Sequence, residues 1–307
     1  YNWTASGLFL RRTVESPLVG SLRLVQDTSG SGKSAAQLIA DDKCSAALDE
    51  SGETTSLQTV SYSDTTWALL FNAAEGSVFQ NQQLRQALAG IARENADVPS
   101  SGLYAAAKGL VPEGLTVDGL DYRETAGDPL PTIPEPKALY LAARQGMATS
   151  DFSGVTLLLP KNAGLGELAD QINSAWQKEF SLFFSVEEVE PEEFQKRLES
   201  GSYTIALAPV QAEGGSVYTA LAQFSPTGGG LTGYSDALYT TQLSASATAT
   251  GSTRCSLLAA CERQLLEQAV AVPLFTQQKR LLVANGIEGL VFDPFGPVLD
   301  VTYATKS

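Results

Sequence analysis

The stretch that most limits the folds open to this chain runs from Gly154 to Ala208. Val155-Thr156-Leu157-Leu158-Leu159 is an apolar run of strand length, and Leu165, Leu168, Ile172 and Trp176 then share one face of a helix. Leu182 to Val189 reads as a second strand. Pro191 to Leu198 reads as a helix with proline in its first turn, and Tyr203 to Ala208 as a third strand. Strands that alternate with helices in this way join by right-handed crossovers, which implies a parallel sheet covered by helices. Ligands of open sheets of this kind lie beyond the carboxyl ends of the strands. That rule points to the loop from Pro209 to Tyr218, with Gln211, Glu213 and Tyr218 as its candidate ligand-binding side chains.

A second unit starts at Trp67. Trp67-Ala68-Leu69-Leu70-Phe71 has the length and aromatic content of a buried strand. Asn72 to Gln80 contains Gly76 and small polar residues and reads as a connection. Asn81 stands where an N-cap belongs. Leu84, Ala87, Leu88, Ile91 and Ala92 then recur on one helical face, while Gln82, Gln83, Arg85, Gln86 and Arg93 fall mostly on the other.

Charge and composition remove several functions. With 34 acidic and 20 basic residues the formal net charge is −14, which repels nucleic acid phosphate and anionic lipid. At 307 residues and 43% apolar content the chain is long enough for two folded domains and too apolar for wholesale disorder. No apolar run approaches the roughly 20 residues a membrane-spanning helix needs. The sequence has no histidine, so Ser-His-Asp and Cys-His nucleophile pairs and histidine metal sites are impossible. Its three cysteines do not suffice for a tetrahedral thiolate site, and no cofactor or metal is expected. Cys255 and Cys261 can bridge only if Cys255 lies outside a helix, since six positions along one helix put them on divergent faces. Cys44 is expected to be a buried free thiol.

Asp27-Thr28-Ser29-Gly30-Ser31-Gly32-Lys33-Ser34 follows a strand at Leu22–Gln26 and opens a helix over Ala35–Ile39. A glycine-rich turn ending in Gly-Lys-Ser at a helix start is how phosphate-binding loops aim backbone N–H groups at nucleotides. Asp27 occupies the place of that motif's first glycine and brings a negative charge to the loop entry. No convincing strand ends in a Mg²⁺-binding aspartate; Leu290-Val291-Phe292-Asp293 runs straight into a Pro294-Phe295-Gly296 turn. A solvated strand-to-helix loop is therefore the favoured reading. A nucleotide hydrolase using Lys33 and Ser34 is the rival one.

Elsewhere, Leu8-Phe9-Leu10 reads as a strand, and Asp41 to Thr55 as helix then turn. Gly102 to Lys108 reads as a short Ala-rich helix ended by Gly109, and Val111 to Pro136 as a long surface connection. Lys137 to Met147 is a helix and Thr232-Gly233-Tyr234-Ser235-Asp236 a loop. Ser244 to Ser252 is a small polar linker and Leu257 to Ala269 a helix. Strands follow at Val270–Phe275 and Leu281–Ala284.

Several of these segments resemble the peptide-binding proteins of ABC transporters, of the oligopeptide/dipeptide type. Phe71-Asn72, Arg85-Gln86-Ala87-Leu88 and Arg93-Glu94 match that family's "Phe-Asn, linker, Arg-Gln-Ala-Leu helix, Arg-Glu" segment, with Val78-Phe79 in place of its Pro-Phe and Asn81 in place of its Asp. Ser6-Gly7-Leu8-Phe9, Ser51-Gly52-Glu53, Leu110-Val111-Pro112, Lys137–Met147, Ser200-Gly201-Ser202-Tyr203, Thr232–Asp236 and Val270–Phe275 are similar to further family segments. The resemblance implies an α/β fold: a periplasmic-binding-protein-like lobe with a mostly parallel mixed sheet flanked by helices, plus a smaller α/β remnant of the other lobe. It implies a first-lobe remnant over 1–66, the second lobe over 67–285 and a return to the first lobe over 286–307. The expected function is to bind a short peptide or other small solute between two lobes, as a monomer, and to deliver it to the membrane permease of an ABC importer without catalysis. The location implied is extracellular or periplasmic, anchored as a lipoprotein. Asn72, Gln211, Glu213, Tyr218 and Tyr234 are the ligand-binding residues put forward, Glu213 to hold the peptide amino group, with solvated surface as its alternative, and Tyr234 to offer a ring face and a hydroxyl, with core packing as its alternative. The family's Asp-Pro in the 209–218 loop is replaced by Gly214-Gly215-Ser216. The chain is expected to be a truncated form of such a protein, with little or no peptide affinity by itself.

Overall fold

The computed structural model describes residues 2–4, 7–11, 21–25, 32–161 and 163–306. The chain divides into a larger unit (63–100 and 104–277) and a smaller one (1–62, 101–103 and 278–307).

The strands of the larger unit are β1 (Gln58–Phe71), β2 (Tyr104–Ala106), β3 (Thr156–Pro160), β4 (Ser185–Val189), β5 (Ile205–Gln211) and β6 (Ala271–Val283); β1 and β6 also give residues to the smaller unit. Their order is β4-β3-β5-β1-β6, with β2 pairing β6. The three strands foreseen from the alternating pattern pair in parallel, β4 with β3 and β3 with β5. β5 pairs antiparallel with β1, Ile205 opposite Phe71 and Gln211 opposite Thr65. The sheet is mixed, with its parallel part at one side.

Alternation along β1 shows why its apolar run is continuous. Ala68 and Leu70 enter one core with Ala206, Ala208 and Val210 of β5. Leu69 and Phe71 enter the other with Ile205 and Leu207. A sheet buried on both faces has no use for polar alternation. Helices α1 (Gln82–Asn95), α3 (Pro136–Arg144) and α4 (Gly166–Phe180) cover the second core. The first is covered by α2 (Tyr122–Ala126), α5 (Pro191–Glu199), α6 (Val217–Ala222), α7 (Ala237–Thr248) and α8 (Gly251–Glu267). Leu165, Leu168, Ile172 and Trp176 are all buried, and the Trp176 indole N–H donates to Leu88 O at 2.9 Å. Asn81 caps α1 as foreseen, its Oδ1 accepting from Leu84 N at 3.0 Å.

The polar side of α1 does not face water throughout. Arg85 is buried; its Nε donates to Gln268 O at 2.9 Å and its Nη1 to Phe79 O at 2.6 Å. Gln82 and Gln86 donate to Glu267 O. These side chains satisfy the carbonyls left open where α8 ends. Burial lowers the Arg85 pKa to about 10, so the side chain stays charged at neutral pH.

Four local expectations are corrected. Gly102–Lys108 holds strand β2 rather than a helix, because the edge of β6 offers Tyr104–Ala106 a ladder, Phe275 opposite Ala106 and Gln277 opposite Tyr104. Val111–Pro136 is a surface connection only from Gly127 on, where no residue is buried. Before that point Val111, Leu115, Val117, Tyr122 and Ala126 are buried, and the glycines and prolines between them mark turns, not exposure. Ser244–Ser252 is the end of α7 and the start of α8, broken only at Ala249 and Thr250; buried Ser246 donates to Leu243 O at 2.7 Å. The two strands expected after Val270 are one, running through Pro273. Cys255 and Cys261 both lie inside α8, buried and without a disulfide, the Cys261 thiol donating to Tyr239 O at 3.9 Å; Cys44, expected to be buried, is a half-buried free thiol.

In the smaller unit Asn2–Thr4, Gly7–Arg11 and Ser21–Leu24 form an antiparallel sheet. A helix over Ala35–Ala40 packs Ala35 and Ile39 against Leu282, and the strand Ala46–Asp49, in place of the expected turn, pairs with the Arg280–Val283 end of β6. The Arg280 Nε donates to Asp49 at 2.6 Å across that ladder. Of the family-like turn Ser6-Gly7, Ser6 lies outside the described residues.

Candidate functional site

The parallel strands β3, β4 and β5 end at Pro160, Val189 and Gln211; Pro160 pairs with Val189, and β5, with Ala206 opposite Leu158, runs on past them to put Gln211 opposite Thr65 of β1. This carboxyl edge is where an open sheet offers a ligand loops instead of packed strand. At it, Ala212 N donates to Asp64 O at 2.7 Å, so the chain turns out of β5 while still held to β1. Gly214 (φ 59°) and Gly215 (φ 70°) then take the left-handed conformation that side chains disfavour. Ser216 caps α6, accepting from Thr219 N at 3.3 Å.

Gln211 and Glu213 are exposed at this edge. Their carbonyls are used: Gln211 O accepts from Gln223 Nε2 at 2.8 Å, and Glu213 O from Thr219 Oγ1 at 3.2 Å. Among the described residues the Glu213 carboxylate has no hydrogen bond or ion pair. Tyr218, on α6, is half-buried against the core that α6 covers. Two further residues at the edge were missed. Lys161 and Glu190 directly follow β3 and β4 and pair at 2.7 Å, and that bond holds the Lys161 ammonium above its ordinary pKa. The signal that would have found them is their place one residue beyond each strand end.

Asn72 and Tyr234 lie elsewhere. Phe71 pairs with Ile205 at the start of β5, about 20 Å from Gln211 at roughly 3.3 Å per strand residue. Asn72 Nδ2 donates to Gly201 O at 2.9 Å and Tyr203 O at 2.8 Å, and its Oδ1 accepts from Ala74 N at 3.1 Å. Its amide thus ties two loops together and has little left for a ligand. Tyr234 is buried beside these loops: Ala73 N donates to Thr232 O at 2.7 Å, and a Cβ on Gly233 would stand 2.7 Å from Ala74 Cβ. Its hydroxyl meets Gln264 Nε2 at 3.1 Å, its ring lies edge-on to Tyr239, and burial raises its pKa. The five candidates therefore form two groups at opposite ends of β5, and only Gln211, Glu213 and Tyr218 belong to the carboxyl edge.

At the glycine-rich loop, residues 26–31 lie outside the described part. Lys33 pairs with Asp41, and Ser34 makes a capping box with Gln37, its backbone N–H donating to Gln37 Oε1 at 3.0 Å. The two groups that would meet phosphate and its metal hold a six-residue helix in place instead. Among the described residues no three carboxylates or thiols are grouped to hold a metal ion, and no helix is long and apolar enough to cross a membrane.

No protein-family model and no curated protein matches the chain. Solved structures do. The substrate-binding domain of an oligopeptide ABC transporter from Bacillus anthracis str. Ames superposes with a TM-score of 0.70 at 17% identity, over 98% of this chain and 62% of that one. HbpA2 from Haemophilus parasuis gives 0.74 at 15% identity, over 100% and 62%. Listeria monocytogenes OppA bound to peptide gives 0.64 at 19% identity, over 94% and 58%. The chain thus has the fold of these solute-binding proteins and spans about 60% of their length.

Proposed function

We propose that this chain belongs to the solute-binding component of an ABC importer and that its ligand is a short peptide. The observation that carries this reading is the fold, shared over nearly the whole chain with a substrate-binding domain of an oligopeptide transporter and with a peptide-bound protein. On this reading residues 67–285 are the second lobe, with 1–66 and 286–307 belonging to the first. The whole protein works outside the cytoplasm, anchored as a lipoprotein, and acts as a monomer.

The carboxyl edge of β3, β4 and β5 is the contact surface. Gln211 offers an amide donor and acceptor, the unpaired Glu213 carboxylate suits a peptide ammonium group, and the Gly214-Gly215 turn lets a ligand backbone approach closely. Such a site binds and releases; it performs no bond chemistry. Ligand selects the closed arrangement of the two lobes because it contacts both, and the closed form is what the permease receives.

Native mass spectrometry of small molecules that co-purify with the protein made in its own cell tests the reading. Peptides of a few residues are the expected cargo. A nucleotide in their place would overturn it in favour of Lys33 and Ser34, and a sugar or nickel complex would overturn the peptide assignment.

A further inference from the structure

A cavity of about 300 Å³ opens in the larger unit between α1, α3, the end of α8 and the segment 131–134. It stands apart from the carboxyl edge: Leu266 and Glu267 lie just before Val270, whose carbonyl accepts from Phe71 N at the other end of β1. Pro131, Ile133, Leu139 and Leu266 give it an apolar lining, and Gln86 and Glu267 its polar rim. Two contacts fix the segment 131–134 against α1. A Cβ on Gly90 would stand 2.8 Å from Pro136 Cγ and 3.3 Å from Ile133 Cγ2, so only glycine lets α1 lie this close to the segment. Arg93 Nη1 tethers the same segment by donating to Pro131 O at 2.8 Å.

The rim carries a charge without a partner. Gln86 Nε2 is fixed on Glu267 O at 2.8 Å, while the exposed Glu267 carboxylate has no hydrogen bond or ion pair among the described residues. Of the cations nearby, Arg85 is buried with its Nε on Gln268 O, and Arg93 is held at Pro131 O and lies in the field of Asp128 and Glu94; neither pairs with Glu267. An apolar pocket with one anionic residue on its rim favours a hydrocarbon body bearing a positive charge.

We propose that this pocket binds a small amphipathic cation, an alkyl- or arylammonium whose hydrocarbon fills the lining and whose ammonium group lies against Glu267. It does not depend on the peptide reading, since none of its residues belongs to that edge. The test is amide chemical-shift mapping of the 307-residue chain titrated with phenethylammonium, 2-phenylethanol and 3-phenylpropionate. Shifts are expected at Thr132, Ile133, Leu266 and Glu267. The cation should bind about two- to fivefold tighter than the alcohol, the range of an exposed ion pair, and the carboxylate weakest. Glu267→Gln should bring the cation down to the alcohol's affinity, and Ile133→Trp, filling the space from a half-buried loop position, should abolish binding of all three. Absence of shifts at these amides with every probe, equal affinity for cation and alcohol, or shifts confined to 211–218 would each overturn the proposal.

Discussion

Replacing Arg123 by methionine should be among the most destabilising single changes in the larger unit, and the structure says by how much. Glu262 is fully buried, and its carboxylate accepts from Arg123 Nη2 at 2.6 Å, Tyr122 OH at 2.8 Å and Val111 N at 3.0 Å. Arg123 also donates to Val111 O and Gly127 O, so one ion pair pins residues 109–127 onto α8. Breaking a buried pair from one side leaves the other charge without compensation, at a cost of about 3–5 kcal/mol. That lowers the folded-to-unfolded ratio by about two to four powers of ten. Arg123→Met with Glu262→Gln removes both charges and keeps partners for Tyr122 and Val111, so it should recover all but about 1–2 kcal/mol. Urea unfolding followed by the fluorescence of buried Trp176 measures both variants. A single-variant cost below about 1 kcal/mol, or no recovery in the double variant, would show that the pair is not the buried pin described here.

Other perturbations separate scaffold from site. Asn72→Leu should destabilise the larger unit by about 1–3 kcal/mol, because Gly201 O and Tyr203 O lose their donor; an unchanged urea midpoint would return Asn72 to the list of ligand contacts. In thiol labelling of the native protein Cys44 should react first, with Cys255 and Cys261 reacting only on unfolding, since both are buried and the Cys261 thiol is pushed up to about 12. Fewer than three reactive thiols after unfolding would reveal a disulfide. Stability should fall in acid. The Tyr239 N–H holds the Asp236 carboxyl below its ordinary 3.8, and Arg197 holds that of Glu187 below 4.5. Groups depressed in the folded state stabilise above their unfolded pKa and lose that contribution as pH falls through the folded value, so the urea midpoint should drop below about pH 4.5. Asp236→Asn keeps the cap and should flatten that drop; an identical slope would refute the assignment.

The parts legible in sequence were those governed by short-range periodicity. The 155–208 alternation and the α1 face needed only apolar spacing, and the strands at 155–160 and 203–208 and both helix faces are buried where that spacing put them. The strand expected over Leu182–Val189 is shorter, Ser185–Val189, and none of its residues is buried, with Phe183 before it exposed. Residues 111–126 differ from the expected surface connection because their turns are local and visible while their burial depends on Glu262, far along the chain. Arg85 looked like a solvent-facing residue since its partners, Phe79 O and Gln268 O, are carbonyls that leave no mark in sequence. The site was half legible for the same reason. The loop after β5 follows from the strand rule, but the place of Asn72 depends on Gly201 and Tyr203, which meet it only in the folded sheet.

Amide chemical-shift mapping of this chain with millimolar tripeptides tests whether the carboxyl edge of β3, β4 and β5 receives a peptide. Weak binding is expected, with shifts gathered on residues 211–218, Lys161 and Glu190 and reduced by Glu213→Gln. Shifts centred on Asn72 and Tyr234 with none at the edge, or a Glu213→Gln variant that binds as the parent does, would contradict it.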